Sequence, residues 1–281
     1  MTGDDNMLVD FHTHTTASDG TYTPKQLVNE IKKKKIEYFS ITDHDTIDGV
    51  KALREFPEGA KFITGVEISA EFPKTLHILG YGFDLEDKQL NYALNQLQAY
   101  RKNRNTKMID KMREFGFEIT MDELIDEAGS DLVGRPHFAN LLFRKGYVDS
   151  YGEAFEKYLK KGAPLYMNKK KFESDKAIQM IHNAGGIAVM AHPYQTTLKG
   201  EALEQLVKEL LSYGLDGIEV YYSQHTPEMR AEYKSLATKY NLIATAGSDF
   251  HGANKPEIPL GMNLSYTDIE EFISTVPTYT F

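Results

Sequence analysis

Short β-rich apolar runs alternate with amphipathic helical patterns along this chain, and this alternation restricts the fold more than any other feature. The stretch 24–35, for example, places Leu27, Val28 and Ile31 on one helical face, and the apolar run 36–41 follows it. Strands that alternate with helices predict a mainly parallel α/β sheet, and seven such runs suit a barrel better than a small open sheet. The runs are 7–11, 36–41, 60–68, 76–81, 187–191, 217–222 and 242–246.

The stretch 86–171 interrupts this alternation, because it is poor in strand patterns and rich in helical ones. We therefore predict a barrel formed by residues 1–85 and 172–281, with a helical insertion at 86–171 that acts as a lid or substrate-binding subdomain. Between Arg101 and Lys171 there are 15 Lys and Arg against 11 Asp and Glu, whereas the other residues carry 17 against 30. The basic insertion indicates either a solvated helical surface or a cover over a site for an anionic substrate.

Composition excludes several classes of protein. The chain has no cysteine, which excludes disulfides, thiolate metal sites and a cysteine nucleophile. Its net charge of −9 argues against bulk binding to long nucleic acid. Residues 1–6 lack the basic and apolar regions of a signal peptide, and no apolar run approaches the ~18 residues that a membrane span needs. We therefore expect a cytoplasmic protein without a membrane partner.

Six of the nine histidines lie in short clusters with acidic residues, close to the ends of predicted strands. His12 and His14 follow the first strand and are separated by one residue, so on an extended chain they point to the same side. Ligands that follow different barrel strands meet on one face, because the loops at the carboxyl ends converge. Imidazole and carboxylate groups bind divalent metals, and this set is large enough for two or three ions. The candidate ligands are His12, His14, Asp19, His44, Glu67, His77, His192, Asp249 and His251.

The motifs that contain these residues resemble those of the polymerase and histidinol phosphatase (PHP) family. They begin near the N terminus and extend beyond residue 250, so the resemblance covers almost the whole chain. It implies a distorted (β/α)7 barrel with a trinuclear centre of Mn²⁺, Fe²⁺ or Zn²⁺ at its C-terminal face. The motifs are Asp10-Phe11-His12-Thr13-His14, Ser18-Asp19-Gly20, Thr42-Asp43-His44-Asp45, Gly65-Val66-Glu67, Ala191-His192-Pro193 and Gly247-Ser248-Asp249-Phe250-His251.

The resemblance also implies how the ligands divide among the ions and how the ions act. A water shared between metals has a lowered pKa, so a metal-bound hydroxide attacks phosphorus and no side-chain nucleophile is needed. His192 and His251 are alternatively proton donors, although we favour both as ligands. The implied division is His12, His14, Glu67 and Asp249 for one ion, Glu67 as a bridge with His77 and His192 for a second, and Asp19, His44 and His251 for a third.

The sequence Gly134-Arg135-Pro136-His137 in the insertion is the main candidate for substrate binding. Arg135 can hold a phosphate with two hydrogen bonds and His137 can donate another, although Arg135 pairing with a nearby acid is the structural alternative. The motif resembles one in the family branch that dephosphorylates nucleoside 3',5'-bisphosphates, where matching residues contact substrate phosphate. Tyr222 and His225 follow a late strand and are candidates for contact with base or sugar. A packing role fits Tyr222 equally well.

These observations predict a metal-dependent phosphoesterase that releases the 3'-phosphate of a nucleoside 3',5'-bisphosphate, with 5'→3' exonuclease action on short RNA as a linked activity. The predicted partner is a small phosphorylated substrate, and no obligate protein partner is expected. Histidinol-phosphate phosphatase activity is the alternative within enzymes, since it needs the metals but no second phosphate clamp. A metal-stabilised accessory module without catalysis is the alternative outside enzymes.

Overall fold

The computed structural model describes residues 6–53, 59–129 and 133–279, so most of the stretch used for the signal-peptide argument lies outside the described residues. In this part of the chain eight strands form one sheet in the order β7-β6-β5-β4-β3-β2-β1-β8. The fold is the predicted α/β barrel, although β8 was not predicted. The strands are β1 (Asn6–Asp10), β2 (Tyr38–Ile41), β3 (Lys61–Ala70), β4 (Leu76–Tyr81), β5 (Ile187–Met190), β6 (Gly217–Tyr222), β7 (Ile243–Gly247) and β8 (Met262–Ser265).

Strand β4 runs against its neighbours. The pairs β1–β2, β2–β3, β5–β6 and β6–β7 are parallel, whereas β4 is antiparallel to both β3 and β5. Only residues 71–75 separate β3 from β4, which is too short for the crossover that a parallel pair requires. Strand β4 is therefore an exception within the predicted, mainly parallel sheet. As a result, the start of β4 lies at the same end of the barrel as the carboxyl ends of its neighbours.

The first and last of the predicted strands approach each other at the C-terminal end of the barrel. The backbone N–H of His14 donates to Phe250 O at 2.9 Å, and that of Asp249 donates to His12 O at 2.8 Å. A Cβ atom added to Gly247 would lie 2.1 Å from the Cβ of His12, so glycine permits this close approach. On its other side β1 pairs with β8, whose short Met-Asn-Leu-Ser run carries no clear strand pattern. The nearly closed sheet brings residues 12–14 and 249–251 together.

Helices pack around the sheet, and several lie between β4 and β5 in the chain. Helix α1 begins at a capping box in which Thr23 Oγ1 accepts the backbone N–H of Gln26 and Gln26 Oε1 accepts the backbone N–H of Thr23. No helix within the described residues combines the length and apolar character that a membrane crossing needs. The helices are α1 (Pro24–Lys34), α2 (Asp48–Lys51), α3 (Lys88–Glu114), α4 (Met121–Ala128), α5 (Arg135–Arg144), α6 (Tyr151–Ala154), α7 (Ser174–Asn183), α8 (Gly200–Ser212), α9 (Pro227–Tyr240) and α10 (Glu270–Thr275), with a π-helical turn at Phe155–Leu159.

Helices α3 to α6 lie between β4 and β5 in the chain and have an apolar core of their own. Met108, Phe138 and Leu142 are fully buried in that core. The N-terminal half of α3 belongs to the barrel instead, because Leu90 and Leu94 pack in the barrel core. Helix α3 thus connects the two cores and places the basic residues of the insertion over the open end of the barrel.

Candidate metal centre and adjoining pocket

Glu67 lies at the centre of the predicted ligand set. It is fully buried in β3, and imidazoles surround both of its carboxylate oxygens. Its Oε1 lies 2.7 Å from His77 Nδ1 and 2.8 Å from His192 Nε2. Its Oε2 lies 2.8 Å from His44 Nδ1 and 3.3 Å from His14 Nε2. One carboxylate therefore faces candidate ligands from β4 and from the loops after β1, β2 and β5, so it could bridge two ions.

The other predicted ligands complete the cluster. Asp249 Oδ1 lies 3.1 Å from His14 Nε2 and 3.6 Å from His12 Nε2, and His251 Nε2 lies 3.3 Å from Asp19 Oδ1. All nine predicted residues belong to groups whose ligand atoms lie within 4.8 Å of one another. The groups are His14, Asp19, His44 and His251; His12, Glu67 and His192; His12, His14 and Asp249; and His44, Glu67 and His77.

Several of these ligand atoms are buried without a hydrogen-bond partner. An unpaired polar atom in a protein interior costs about 1–3 kcal/mol, so a group of them in one place requires a compensating ligand. Divalent cations satisfy imidazole nitrogens and carboxylate oxygens together. The residues therefore fit a multinuclear metal centre. The buried candidate ligand atoms without partners include His12 Nε2, His14 Nε2, Asp19 Oδ1, His44 Nδ1 and Glu67 Oε2.

Hydrogen bonds behind the cluster fix which nitrogen of two histidines faces it. The Nδ1–H of His12 donates to Glu219 Oε1 at 2.9 Å, and the Nδ1–H of His251 donates to the carbonyl oxygen of Asp249 at 2.8 Å. In each ring the Nε2 lone pair is then directed at the other candidate ligands. Such outer hydrogen bonds orient metal-binding imidazoles and increase their basicity.

Electrostatics keep the carboxylates of the cluster ionised. Burial acts to raise the pKa of Glu67, but the charges of His44, His77 and His12 hold it well below its usual range. Burial likewise acts to raise the pKa of Asp249, but the neighbouring His251 and His14 hold it well below its usual range. Asp10 differs, because burial raises its pKa to about 6 despite hydrogen bonds from neighbouring backbone and side-chain groups. The ligand carboxylates are thus negatively charged and ready to bind cations.

Sequence reasoning missed two residues that support the cluster. Glu219 is fully buried in β6, where its Oε2 accepts a hydrogen bond from the backbone N–H of His192 at 2.7 Å while its Oε1 holds His12. The signal was a lone acidic residue in the apolar run Gly-Ile-Glu-Val-Tyr-Tyr. Lys255 donates to Asp249 Oδ2 at 2.6 Å, and nothing in its local sequence indicated this role.

We expect Glu219→Gln to weaken metal binding by roughly 10- to 100-fold, since losses of this size follow removal of outer-shell partners. The amide can still contact His12, but it no longer places a negative charge behind the imidazole. Titration of metal-depleted protein with Mn²⁺, followed by metal content and by activity, measures the change. Glu201→Gln on the exposed surface of α8 is the matched control. Equal Mn²⁺ affinities for both variants would contradict the prediction.

A pocket of about 970 Å³ opens directly beside the cluster. Asp19, His44 and His77 line its inner end, and the rest is lined by residues from the β3–β4 connection, α3, the start of α5 and the segment before α7, together with Gln195. Among the described residues that line it, cations outnumber Asp19 and Glu71, so the pocket attracts anions. The cationic residues, which we call the cationic wall, are Lys74, Arg101, Arg104, Arg135, Lys161, Lys169 and Lys171.

Asp45 joins the cationic wall to the barrel. It follows His44 directly, has a positive φ of 54° and is almost fully buried. Arg101 Nη2 donates to its Oδ2 at 2.9 Å, and Lys169 contacts the same oxygen and donates to Ser69 Oγ at 2.7 Å. Burial acts to raise the pKa of Asp45, but Lys169 and Arg101 hold it well below its usual range. This contact fixes two insertion cations next to a candidate metal ligand.

Arg135 and His137 occupy different environments. Arg135 lines the pocket, where its Nη1 donates to Leu159 O at 3.2 Å and its guanidinium lies 5.0 Å from the centroid of the Tyr166 ring. His137 is buried, and its Nδ1 accepts the backbone N–H of Gly134 at 3.0 Å as part of the cap of α5. His137 is not among the residues that line this pocket.

Tyr222 and His225 also lie behind the cluster and do not line this pocket. The Tyr222 hydroxyl donates to Asp249 Oδ2 at 2.7 Å, and its ring is fully buried. The Nδ1–H of His225 donates to Val220 O at 3.0 Å, and its ring packs against Tyr222 and Tyr233. Tyr222 thus positions a candidate ligand, and His225 packs beneath it.

A buried cluster of imidazoles and carboxylates at the C-terminal end of an α/β barrel, open to a cationic pocket, defines a hydrolase of phosphoric esters. The chain belongs to the PHP domain family, whose model matches residues 10–253. It is therefore a PHP-domain phosphoesterase.

Relatives and solved structures agree with this assignment. The chain is 33% identical over 264 residues to a 5'-3' exoribonuclease of Haemophilus influenzae, covering 92% of this chain and 95% of the relative. It is 30% identical over 247 residues to a 3',5'-nucleoside bisphosphate phosphatase of Chromobacterium violaceum, covering 86% of this chain and 87% of the relative. A Chromobacterium violaceum amidohydrolase structure with bound sulfate and no metal superimposes with a TM-score of 0.83 at 27% identity, covering 97% of both chains. A Bifidobacterium adolescentis structure that is described as a metal-dependent phosphoesterase superimposes with a TM-score of 0.80 at 28% identity. The match covers 95% of this chain and 94% of that one.

Proposed function

We propose that this enzyme releases phosphate from the 3' position of nucleoside 3',5'-bisphosphates. The observation that carries the proposal is the continuity of the pocket, which extends from His44 and His77 to Arg135. A substrate with two phosphates matches a site that has a metal cluster at one end and a cationic wall at the other. The similarity to a 3',5'-nucleoside bisphosphate phosphatase supports the same substrate class.

We further propose that the nine clustered residues hold two or three divalent ions of Mn, Fe or Zn. When bound, such ions neutralise phosphoryl oxygens and lower the pKa of a coordinated water. Glu67 is suited to bridge, since both of its oxygens face several imidazoles. His192 and His251 act as ligands in this proposal, because each directs a ring nitrogen at a cluster carboxylate. His12, His14 and Glu67 are fully buried, whereas Asp19, His44 and His77 are partly exposed to the pocket.

The insertion, residues 86–171, acts in this proposal as the substrate-binding subdomain. Arg135 holds the 5'-phosphate through its planar guanidinium, and Tyr166 restricts the orientation of that group. Burial and the charges of Arg101 and Arg135 lower the pKa of Arg104 to about 9, so it still carries a charge at neutral pH. The crowded cations lose mutual repulsion when an anion binds, which favours a second phosphate here.

The same arrangement supports 5'→3' exonuclease action on short RNA. An RNA with its 5'-phosphate at Arg135 would present its first internucleotide phosphate to the metals, at the position of the 3'-phosphate of the bisphosphate. The similarity to 5'-3' exoribonucleases supports this linked activity. Histidinol phosphate has no second phosphate for the cationic wall, and an accessory module has no need of an intact ligand set. Histidinol-phosphate phosphatase activity therefore leaves the cationic wall unexplained, and an accessory module leaves the intact ligand set unexplained.

The test is phosphate release by Mn²⁺-loaded enzyme from adenosine 3',5'-bisphosphate, with adenosine 5'-monophosphate and histidinol phosphate assayed alongside. We expect rapid release from the bisphosphate and little from the two monophosphates. Preference for histidinol phosphate would retain the metal chemistry and overturn the substrate. Metal-dependent stabilisation without turnover of any phosphoester, short RNA included, would favour the accessory module.

A further inference from the structure

A second pocket of about 390 Å³ adjoins the first at the end away from the metal cluster. It lies between the middle of α3 and the segment that precedes α7. Arg104, Met167 and Asn168 line both pockets, so the two spaces meet at these residues. The order along the site is therefore metal ligands, the 970 Å³ pocket and then the second pocket.

The second pocket has the chemistry of a phosphate site. Lys107 and Lys170 are exposed at its edge, and Arg104 forms its inner end. The Lys170 ammonium lies 3.8 Å from the centroid of the Tyr100 ring, which holds this flexible side chain over the groove. Among the described residues that line this pocket, none is acidic. The positive charge that lines the first pocket thus continues into the second pocket.

We propose that this second pocket binds a 5'-polyphosphate group on the substrate. This inference rests on the proposed function, in which Arg135 holds the 5'-phosphate and the metals act at the 3' position. Arg104 lines both pockets and lies close enough to Arg135 for the Arg135 charge to lower the pKa of Arg104, so the further phosphates of a 5'-diphosphate or 5'-triphosphate held at Arg135 would reach Arg104. The space there is lined by Arg104, Lys107 and Lys170, whose charges match additional phosphates. The substrate class is thus nucleoside 3'-phosphates with 5'-polyphosphate ends, free or at the 5' end of RNA.

The test compares substrates that differ only at the 5' end. We expect kcat/KM for adenosine 3'-phosphate 5'-diphosphate to exceed that for adenosine 3',5'-bisphosphate by roughly 5- to 10-fold at fixed free Mn²⁺. The double variant Lys107→Ala/Lys170→Ala should lose this gain and retain bisphosphate hydrolysis. A second arm compares short RNAs with 5'-triphosphate and 5'-monophosphate ends. A gain in either arm that the double variant abolishes supports the subsite and identifies its source.

Lys88→Ala/Lys102→Ala is the matched control, because it removes the same charge from exposed positions of α3 that line neither pocket. No gain in either arm, or an equal loss in both double variants, would overturn the subsite. If wild-type enzyme leaves the bisphosphate intact, the proposed function fails by itself. Calorimetry then tests the subsite separately. We expect the wild type to bind adenosine 5'-diphosphate more tightly than adenosine 5'-monophosphate. The Lys107→Ala/Lys170→Ala variant should bind the two nucleotides equally.

Discussion

Replacement of Glu67 by glutamine should abolish phosphoesterase activity and remove most of the bound metal. Glu67 is the carboxylate that faces His14, His44, His77 and His192 at once, so its loss affects more than one ion. Bound metals supply several kcal/mol of charge stabilisation in such reactions, so we expect turnover to fall by roughly 10³-fold or more. Metal content per protein and turnover measured on the same preparation check this result.

The control for this change is Glu71→Gln, which alters an exposed carboxylate that lines the pocket but lies outside the cluster. Its metal content should equal that of the wild type. Near-ultraviolet circular dichroism shows whether the Glu67→Gln variant keeps its packed core. A folded variant with full metal content and full activity would rule out Glu67 as a bridging ligand.

Replacement of Arg135 by alanine should separate two substrates. Removal of a charge-assisted, two-pronged contact should lower kcat/KM for adenosine 3',5'-bisphosphate by roughly 10- to 100-fold. The effect on adenosine 3'-monophosphate should stay within a factor of about 3, because that substrate has no phosphate at the clamp. For Arg135→Lys, kcat/KM for the bisphosphate should lie between the values for the alanine variant and the wild type, because lysine keeps the charge but lacks the planar guanidinium.

Arg144→Ala is a suitable control for Arg135, because Arg144 lies on the same helix and its exposed side chain pairs with Glu127. It should leave both substrates unchanged. Equal losses on both substrates for Arg135→Ala would show that Arg135 supports the fold of the pocket, through its contact with Leu159 O, rather than binding the second phosphate.

The positions of the candidate ligands could be predicted from sequence because barrel topology brings the carboxyl ends of strands together. His12, His14, His44, His192 and Asp249 all follow strands, and the structure places them in one cluster. His77 is the instructive case, because it begins a strand. The antiparallel direction of β4 brings that start to the same end of the barrel, and the short connection 71–75 imposes this direction.

The substrate side of the site was less predictable. Arg135 and His137 are two residues apart, yet Arg135 lines the pocket while His137 caps the start of α5 from the inside. Helical geometry points neighbouring residues in different directions, so a motif on a helix start does not place all its side chains in one space. Lys169 and Arg101 line the pocket from distant parts of the sequence, and both pair with buried Asp45.

By itself the sequence determined the class of fold, the candidate ligand residues and the family, because strand periodicity and ligand chemistry are local properties of the chain. Only the tertiary structure decided which charges support the site. Lys255 donates to the side-chain carboxylate of Asp249, six residues earlier in the chain. Glu219 acts through His12, which lies more than 200 residues away in sequence. Such contacts depend on how the barrel closes. Closure sets distances between remote residues, and no local pattern encodes those distances.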